Sequence, residues 1–159
     1  MKKTTVFLAS SIGELRMDRL ALSELTGELN DVLIDQDERI QLFMCEHHDT
    51  AIALGGKQNE YNEFIKRPCD LFINLYHTKA GEYTIEEFDV ALNTRRQFGK
   101  PAIYVFWKES EQITDQLRDF LQRARRTPDV QTASYQSTDQ LLTLFESAIQ
   151  TQIKKENEQ

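Results

Sequence analysis

Cysteines and long apolar runs are scarce in this sequence of 159 residues. The two cysteines, Cys45 and Cys69, match neither a zinc-binding nor a redox spacing, and they do not make the multi-cysteine framework of small secreted domains. No segment approaches the roughly 20 consecutive apolar residues of a membrane span, and the apolar segment after residues 1–3 is too short for a signal peptide. We therefore expect a cytoplasmic protein that does not interact with a membrane.

Basic residues are outnumbered, with 19 Lys and Arg against 26 Asp and Glu, which gives a formal net charge of −7. A nucleic-acid-binding protein normally carries a basic face, so we expect no nucleic-acid partner. The two local basic clusters, at residues 95–96 and 123–126, are interpreted as solvated helix faces. A small anionic ligand is still compatible with this composition, because a pocket can be positive on an acidic protein.

Motifs for phosphates and metals are missing as well. The sequence contains neither a GxGxxG nor a Walker motif, so it predicts no Rossmann dinucleotide site and no nucleoside triphosphatase. Cys45, His47, His48 and Asp49 could in principle bind a metal. Adjacent loop residues rarely converge on one ion without a second cluster, however, and the sequence has none. We therefore expect no metal site and no bound cofactor.

Short β-branched or aromatic runs alternate with helical stretches along the whole chain. The predicted strands are 4–9, 40–45, 71–76, 102–107 and 130–135, and the predicted helices are 12–33, 60–66, 85–98, 114–126 and 138–153. Strands 71–76 and 102–107 are apolar at nearly every position, which indicates burial on both faces of a parallel sheet. The sequence thus predicts an α/β protein with a flavodoxin-like three-layer fold and a five-stranded parallel sheet of order 2-1-3-4-5. One domain would cover residues 1–153, and residues 154–159 would form a polar tail or a truncated linker.

Ligands of an open parallel sheet bind beyond the carboxyl ends of the strands, where the strand order reverses. In the order 2-1-3-4-5, this point lies between the first and third strands. Ser10, Ser11 and Ile12 follow the first strand at a helix start, where hydroxyl and backbone N–H groups can bind phosphate; a simple helix cap is an equally good alternative. Three further candidates for contacting a substrate lie at the same edge: Tyr76, Tyr83 and, in the long 46–59 loop, His48.

Glu87, at the start of the helix after the third strand, has two competing interpretations. Thr84 and Glu87 match the capping-box pattern, in which both residues only satisfy backbone N–H groups of their own helix. Helical geometry, however, places Glu87 at the border of the apolar stripe, whereas Glu86 points to solvent. A carboxylate beside the core and over the end of a strand is also suited to chemistry on a ligand.

The segment 70–108 resembles Toll/interleukin-1-receptor (TIR) domains, particularly bacterial ones. Its two buried strands flank a helix that opens with Glu87, then Phe88 and, four positions after the glutamate, Ala91. In that family a glutamate with this pattern opens the equivalent helix, and it is the catalytic glutamate of the members that cleave NAD. The resemblance therefore implies that Glu87 is catalytic.

The resemblance extends over most of the chain in the order of elements. Residues 6–11 are similar to the first strand and loop of the family, and residues 45–59 occupy the position of its BB loop. Two features differ: residues 83–86 lack the family's usual cysteine-containing pattern, and the glycine-proline signature of the BB loop is replaced by Gly55 and Gly56.

Nucleoside 2-deoxyribosyltransferases share some of these features. Their Gly-Thr-x-x-Glu-x-x-x-Ala pattern, with glutamate as the nucleophile, is similar to Thr84, Glu87 and Ala91 here, although the glycine is Gly81 and is not adjacent to the threonine. Both resemblances imply a carboxylate beside the anomeric carbon of a ribose-type sugar.

The TIR resemblance implies an NAD glycohydrolase or cyclase that acts in bacterial immune signalling or as an effector. NAD would be the substrate and not a resident cofactor, and self-association through TIR–TIR contacts would complete the site. Two alternatives stay open: a non-catalytic TIR interaction module, in which Glu87 only caps its helix, and a deoxyribosyltransferase-like enzyme that acts on nucleosides.

Overall fold

The computed structural model describes residues 1–10, 13–44, 69–81 and 84–158. These residues form a five-stranded parallel sheet in the order β2-β1-β3-β4-β5. The strands are β1 (Lys2–Ser10), β2 (Glu38–Met44), β3 (Leu71–Tyr76), β4 (Ala102–Lys108) and β5 (Val130–Tyr135). The α-helices are α1 (Arg16–Leu33), α2 (Thr84–Phe98), α3 (Asp115–Arg126) and α4 (Thr138–Asn157). The flavodoxin-like α/β fold and the strand order predicted from the sequence are confirmed.

The sheet is covered on both faces because alternate side chains of each strand enter two different cores. One core joins β1 and β3 to α1 and α4; its members include Val6, Leu8, Leu15, Leu22, Ile73, Leu141 and Phe145. The other joins the same strands to α2 and α3; its members include Phe7, Ala9, Phe72, Tyr76, Phe88, Leu117 and Phe120. This double burial explains why β3 and β4 are apolar along nearly their whole length.

The observed boundaries differ from the predicted ones at several helix ends. Helix α1 begins at Arg16, later than predicted, and the predicted helix 60–66 lies outside the described residues. Helix α2 ends before Gly99, which has φ +80° and donates its N–H to the Arg95 carbonyl at 2.7 Å, as expected for a glycine that terminates a helix.

The polar residues after Ile153 are helical, because α4 continues to Asn157. Asn157 accepts a hydrogen bond from Lys2 Nζ at 2.6 Å, and Glu156 accepts one from the Thr4 hydroxyl at 3.1 Å. These contacts attach the end of α4 to the beginning of β1. Hydrophobic periodicity could not predict this extension, since the contacts that hold it are polar.

Cys69 lies two residues before β3, is buried, and donates its Sγ–H to the Leu71 carbonyl at 2.8 Å. Burial raises the pKa of this thiol from the ordinary value of 9.0 to about 12. The unfolded chain therefore loses the thiol proton at a lower pH than the folded chain. The contribution of the buried, protonated thiol to the free energy of unfolding is therefore fully present below pH 9. It is lost as the pH rises from 9 towards 12.

For each pH unit above pH 9, we expect the free energy of unfolding to fall by about 1 kcal/mol more in the wild type than in Cys69→Ala. Urea unfolding at pH 7, 9, 10 and 11 measures this difference directly. Other groups that titrate in this range act on both proteins and cancel in the comparison. Parallel pH profiles for the two proteins would show that the buried thiol does not contribute.

Candidate functional site

The carboxyl ends of β1 and β3 lie side by side, with Ser10 paired in register with Leu75. The helices that follow these strands pack on opposite faces of the sheet. Leu15 and Leu22 bring α1 to one face, and Phe88 and Ala91 bring α2 to the other. A change of face between neighbouring strands opens a crevice outside their carboxyl ends, which is where ligands of this fold class bind.

Glu87 lies in the first turn of α2, on one side of this crevice, and is only 4% exposed. Glu86 beside it is exposed, as the helical geometry predicts. The helix begins at Thr84, whose hydroxyl donates to the Gly81 carbonyl at 3.0 Å. The Thr84 hydroxyl therefore binds the backbone segment that precedes the helix.

Tyr76 ends β3 on the same face as Glu87 and belongs to the core. Its hydroxyl donates to Asn74 Oδ1 at 3.0 Å, and its ring packs against Phe120 with centroids 5.0 Å apart. At 1% exposure, the ring has no face open to a ligand base, so the role of Tyr76 here is structural support. Burial raises the pKa of Tyr76, and the negative charge of Glu87 acts in the same direction.

Asn74 is a fully buried polar residue that the sequence analysis treated as part of an apolar strand. Its Nδ2 group lies 3.4 Å from the Ala9 carbonyl and 3.5 Å from the Thr84 carbonyl. The amide therefore links the end of β1, the middle of β3 and the start of α2. These contacts hold the turn of α2 that carries Glu87 against the edge of the sheet.

Ser10 lies on the opposite face of the sheet from Glu87 and is 4% exposed. Its hydroxyl accepts a hydrogen bond of 2.6 Å from Nη1 of Arg19, which is itself 7% exposed. The structure thus adds a buried guanidinium to the edge where the sequence predicted Ser10. A cation at this position is the type of group that binds a phosphate or a carboxylate.

Asp18, the neighbour of Arg19 in α1, is also buried, at 2% exposure. It accepts hydrogen bonds from the Tyr135 hydroxyl at 2.9 Å and the Thr138 hydroxyl at 2.6 Å, and Lys108 Nζ lies 3.9 Å away. Burial raises the pKa of Tyr135, and the hydrogen bond to Asp18 adds to this effect. These contacts attach the beginning of α1 to the carboxyl ends of β4 and β5.

Asp18 and Arg19 are not among the site residues predicted from the sequence, although their spacing contains a signal. Leu15, Asp18, Arg19 and Leu22 stand at positions i, i+3, i+4 and i+7, which form one face of a helix. Because the two leucines point into the core, the two charged residues between them must be buried as well. Adjacent buried charges are expensive unless hydrogen-bonded, and such residues are candidates for function.

Glu14 is a second carboxylate at this edge that the sequence analysis did not select. It accepts hydrogen bonds from both the backbone N–H and the hydroxyl of Thr78, which follows β3. The contact bridges the segments after β1 and β3, one on each side of the crevice. Glu14 is therefore the alternative carboxylate for any chemistry proposed at this place.

The remaining predicted site residues, Ser11, Ile12, Tyr83 and His48, lie outside the described residues, as does the possible metal cluster around His48. In the part of the chain that the structure describes, no three His, Cys, Asp or Glu side chains are grouped so that they could hold a metal ion. Among the described helices, none combines the length and apolarity needed to cross a membrane.

No protein-family model matches this chain, and no curated protein matches it. Two solved structures resemble it at low identity. A "putative lipoprotein from Peptoclostridium difficile 630 (fragment)" has a TM-score of 0.46 and 10% identity, covering 94% of this chain and 99% of that chain. The rubredoxin oxygen:oxidoreductase from Desulfovibrio gigas has a TM-score of 0.45 and 14% identity. The similarity covers 96% of this chain and 37% of that chain. We draw no functional argument from either similarity.

Proposed function

We propose that this protein cleaves the N-glycosidic bond between nicotinamide and ribose in NAD, with Glu87 as the catalytic carboxylate. The observation that carries the proposal is the position of Glu87. The residue is 4% exposed and lies in the first turn of α2, the helix that follows β3. The sequence resemblance of the helix start to TIR domains that cleave NAD supports the same residue.

The reaction suits a single carboxylate. Breaking the bond from C1′ to nicotinamide sends the electron pair to the ring nitrogen, which neutralises the positive charge of the leaving group. Positive charge then develops on C1′ and the ring oxygen of ribose, and a nearby carboxylate stabilises it electrostatically or by transient covalent addition. Paired carboxylates, as in O-glycosidases, are not required because nicotinamide departs without acid catalysis.

Two nucleophiles can complete the reaction. If water adds to C1′ and releases a proton, the product is ADP-ribose. If a nitrogen of the adenine adds instead, a cyclic ADP-ribose forms, which contains one water molecule less than ADP-ribose. By the TIR resemblance, the activity would serve bacterial immune signalling or an effector role, and self-association of the chain would complete the site.

Nicotinamide release from NAD tests this proposal, with the protein assayed at high and at low concentration. We expect release that rises more steeply than in proportion to protein, because association completes the site. Chromatography of the products separates hydrolysis from cyclisation. If NAD stays intact even at high concentration, the proposal fails, and base exchange between deoxynucleosides is the next assay. Inactivity there as well would favour an interaction module in which Glu87 has only a structural role.

A further inference from the structure

Helix α4 crosses one face of the sheet diagonally. It begins at Thr138, shortly after the carboxyl end of β5, and its last turn is bonded to Lys2 and Thr4 at the beginning of β1. Because β3 and β4 lie between β1 and β5 in the sheet, the helix moves away from the amino-terminal halves of β4 and β5 as it proceeds. In the part of the chain that the structure describes, a cavity of about 470 Å³ is left there.

This β4–β5 cavity combines an apolar floor with a partly polar wall. The floor includes Tyr104 and Phe106 of β4, beside Ala133 of β5. The wall is one face of α4, whose lining residues follow the helical period: Leu144, Ala148, Thr151 and Lys155. Ligand pockets typically measure roughly 300–1,000 Å³ and combine apolar surface with a few polar groups. The cavity therefore has the size and lining of a site for a small molecule.

A guanidinium is held at this cavity by neutral groups. Arg95, near the end of α2, donates through Nη1 to the Pro101 carbonyl at 3.2 Å, and the same nitrogen lies 3.5 Å from the Gly99 carbonyl. Both contacts use one nitrogen of a group that carries five N–H donors. Among the described residues, no carboxylate forms an ion pair with Arg95. Its charge and its remaining donors are therefore available to an anion.

The lining as a whole is positive, although the protein is acidic. Lys155 adds a second cation, and Asp129 is the one carboxylate among the described residues of the lining. Burial raises the pKa of Tyr104, and the charge of Arg95 acts in the opposite direction. The phenol is therefore protonated at neutral pH and can donate a hydrogen bond to an anion.

From this arrangement we propose that the β4–β5 cavity binds a small aromatic anion. Its phosphate or carboxylate group would contact Arg95 and Lys155, and its ring would pack against Tyr104 and the wall of α4. The cavity lies at the amino ends of β4 and β5, whereas the candidate active site lies at the carboxyl ends of β1 and β3. It is therefore a second site, and it goes beyond the proposed function.

NMR titration of the full chain tests this proposal with four probes: phenyl phosphate, benzoate, phenol and inorganic phosphate. We expect at least one of the two aromatic anions to bind more tightly than both phenol, which lacks the charge, and inorganic phosphate, which lacks the ring. The tighter of the two aromatic anions identifies the charged group that the cavity prefers. Shifts of the amide signals of β4, β5 and α4 locate the probe.

Removal of either cation should weaken binding of the aromatic anion. We expect a loss on the order of 10-fold for Arg95→Gln and about 2- to 5-fold for Lys155→Gln, because Lys155 is exposed to solvent. The matched controls are Arg96→Gln and Lys154→Gln, which change exposed neighbours of the same type outside the lining. Both controls should bind like the wild type.

Asp129→Asn should have the opposite effect and strengthen binding, since it removes the negative charge of the lining. Asparagine tolerates the positive φ of 69° at this position. Because Asp129 and Lys155 are both exposed, their variants keep the test decisive if Arg95→Gln fails to fold.

Three results would each overturn the proposal: no binding of either aromatic anion, equally tight binding of phenol, or equal binding by the folded cation variants and their matched controls. None of the four probes contains an N-glycosidic bond, so the outcome is independent of NAD cleavage. A protein that binds the aromatic anion through Arg95 and leaves NAD intact would overturn the proposed function alone.

Discussion

Glu87→Gln is expected to lower nicotinamide release from NAD on the order of 100- to 10,000-fold, since a neutral amide cannot stabilise the positive charge that develops on the ribose. Glutamine keeps the size and shape of the side chain in a position that is 4% exposed, so the core around Phe88 and Tyr76 should stay intact.

The matched control is Glu86→Gln, which changes the same residue type one position earlier on the exposed side of the helix. Its rate should equal that of the wild type, and circular dichroism should show that both variants fold. If Glu87→Gln keeps the wild-type rate, Glu87 is not the catalytic carboxylate. Loss of activity in Glu14→Gln in that case would identify Glu14, which lies across the same crevice and contacts Thr78.

Asp18→Ala should lower the free energy of unfolding by about 3 kcal/mol, the largest stability change that we expect from a single polar side chain here. The substitution removes the acceptor for two hydroxyl groups, and it leaves Tyr135, which is 1% exposed, without that acceptor. The nearby Lys108, partly exposed, regains water and limits the loss.

Urea unfolding at pH 7 measures this loss, with Asp31→Ala as the control. Asp31 is an exposed aspartate of the same helix, and its removal should change stability by no more than about 0.5 kcal/mol. Asp18→Asn should lie between the two, because the amide oxygen can still accept one hydroxyl. Equal stability of Asp18→Ala and Asp31→Ala would mean that the buried contacts of Asp18 contribute no net free energy.

The fold could be predicted from the sequence because its main determinants are local patterns. The predicted strands 71–76 and 130–135 coincide with β3 and β5, and the alternation of strands with helices allows few topologies other than a parallel doubly wound sheet. Gly99 marked the end of α2 through its backbone conformation. The exposure of Glu86 and the burial of Glu87 likewise follow from the helical period.

The candidate site could be predicted from the sequence only in part. The predicted strand order pointed to the edge between β1 and β3, and the TIR resemblance implied Glu87 as the catalytic candidate. Tyr76 shows the limit of such reasoning: its place at the end of a strand suggested contact with a substrate, yet alternation turns its ring into the core against Phe120. Alternation along the strand fixes the face on which a side chain lies, but only the packing of a helix on that face decides whether the side chain is covered.

By itself, the sequence predicted the order of strands and helices and the parallel sheet, because strands and helices follow from spacing along short stretches of chain and their alternation favours parallel pairing. Only the tertiary structure decided which polar residues meet there. Ser10 and Arg19 come together across a loop, Asp18 reaches Tyr135 and Thr138 from more than 100 positions away, and Asn74 joins β1 to α2. Such contacts arise because burial forces each polar group to find a partner, and the packing of helices on the sheet decides which partner is near.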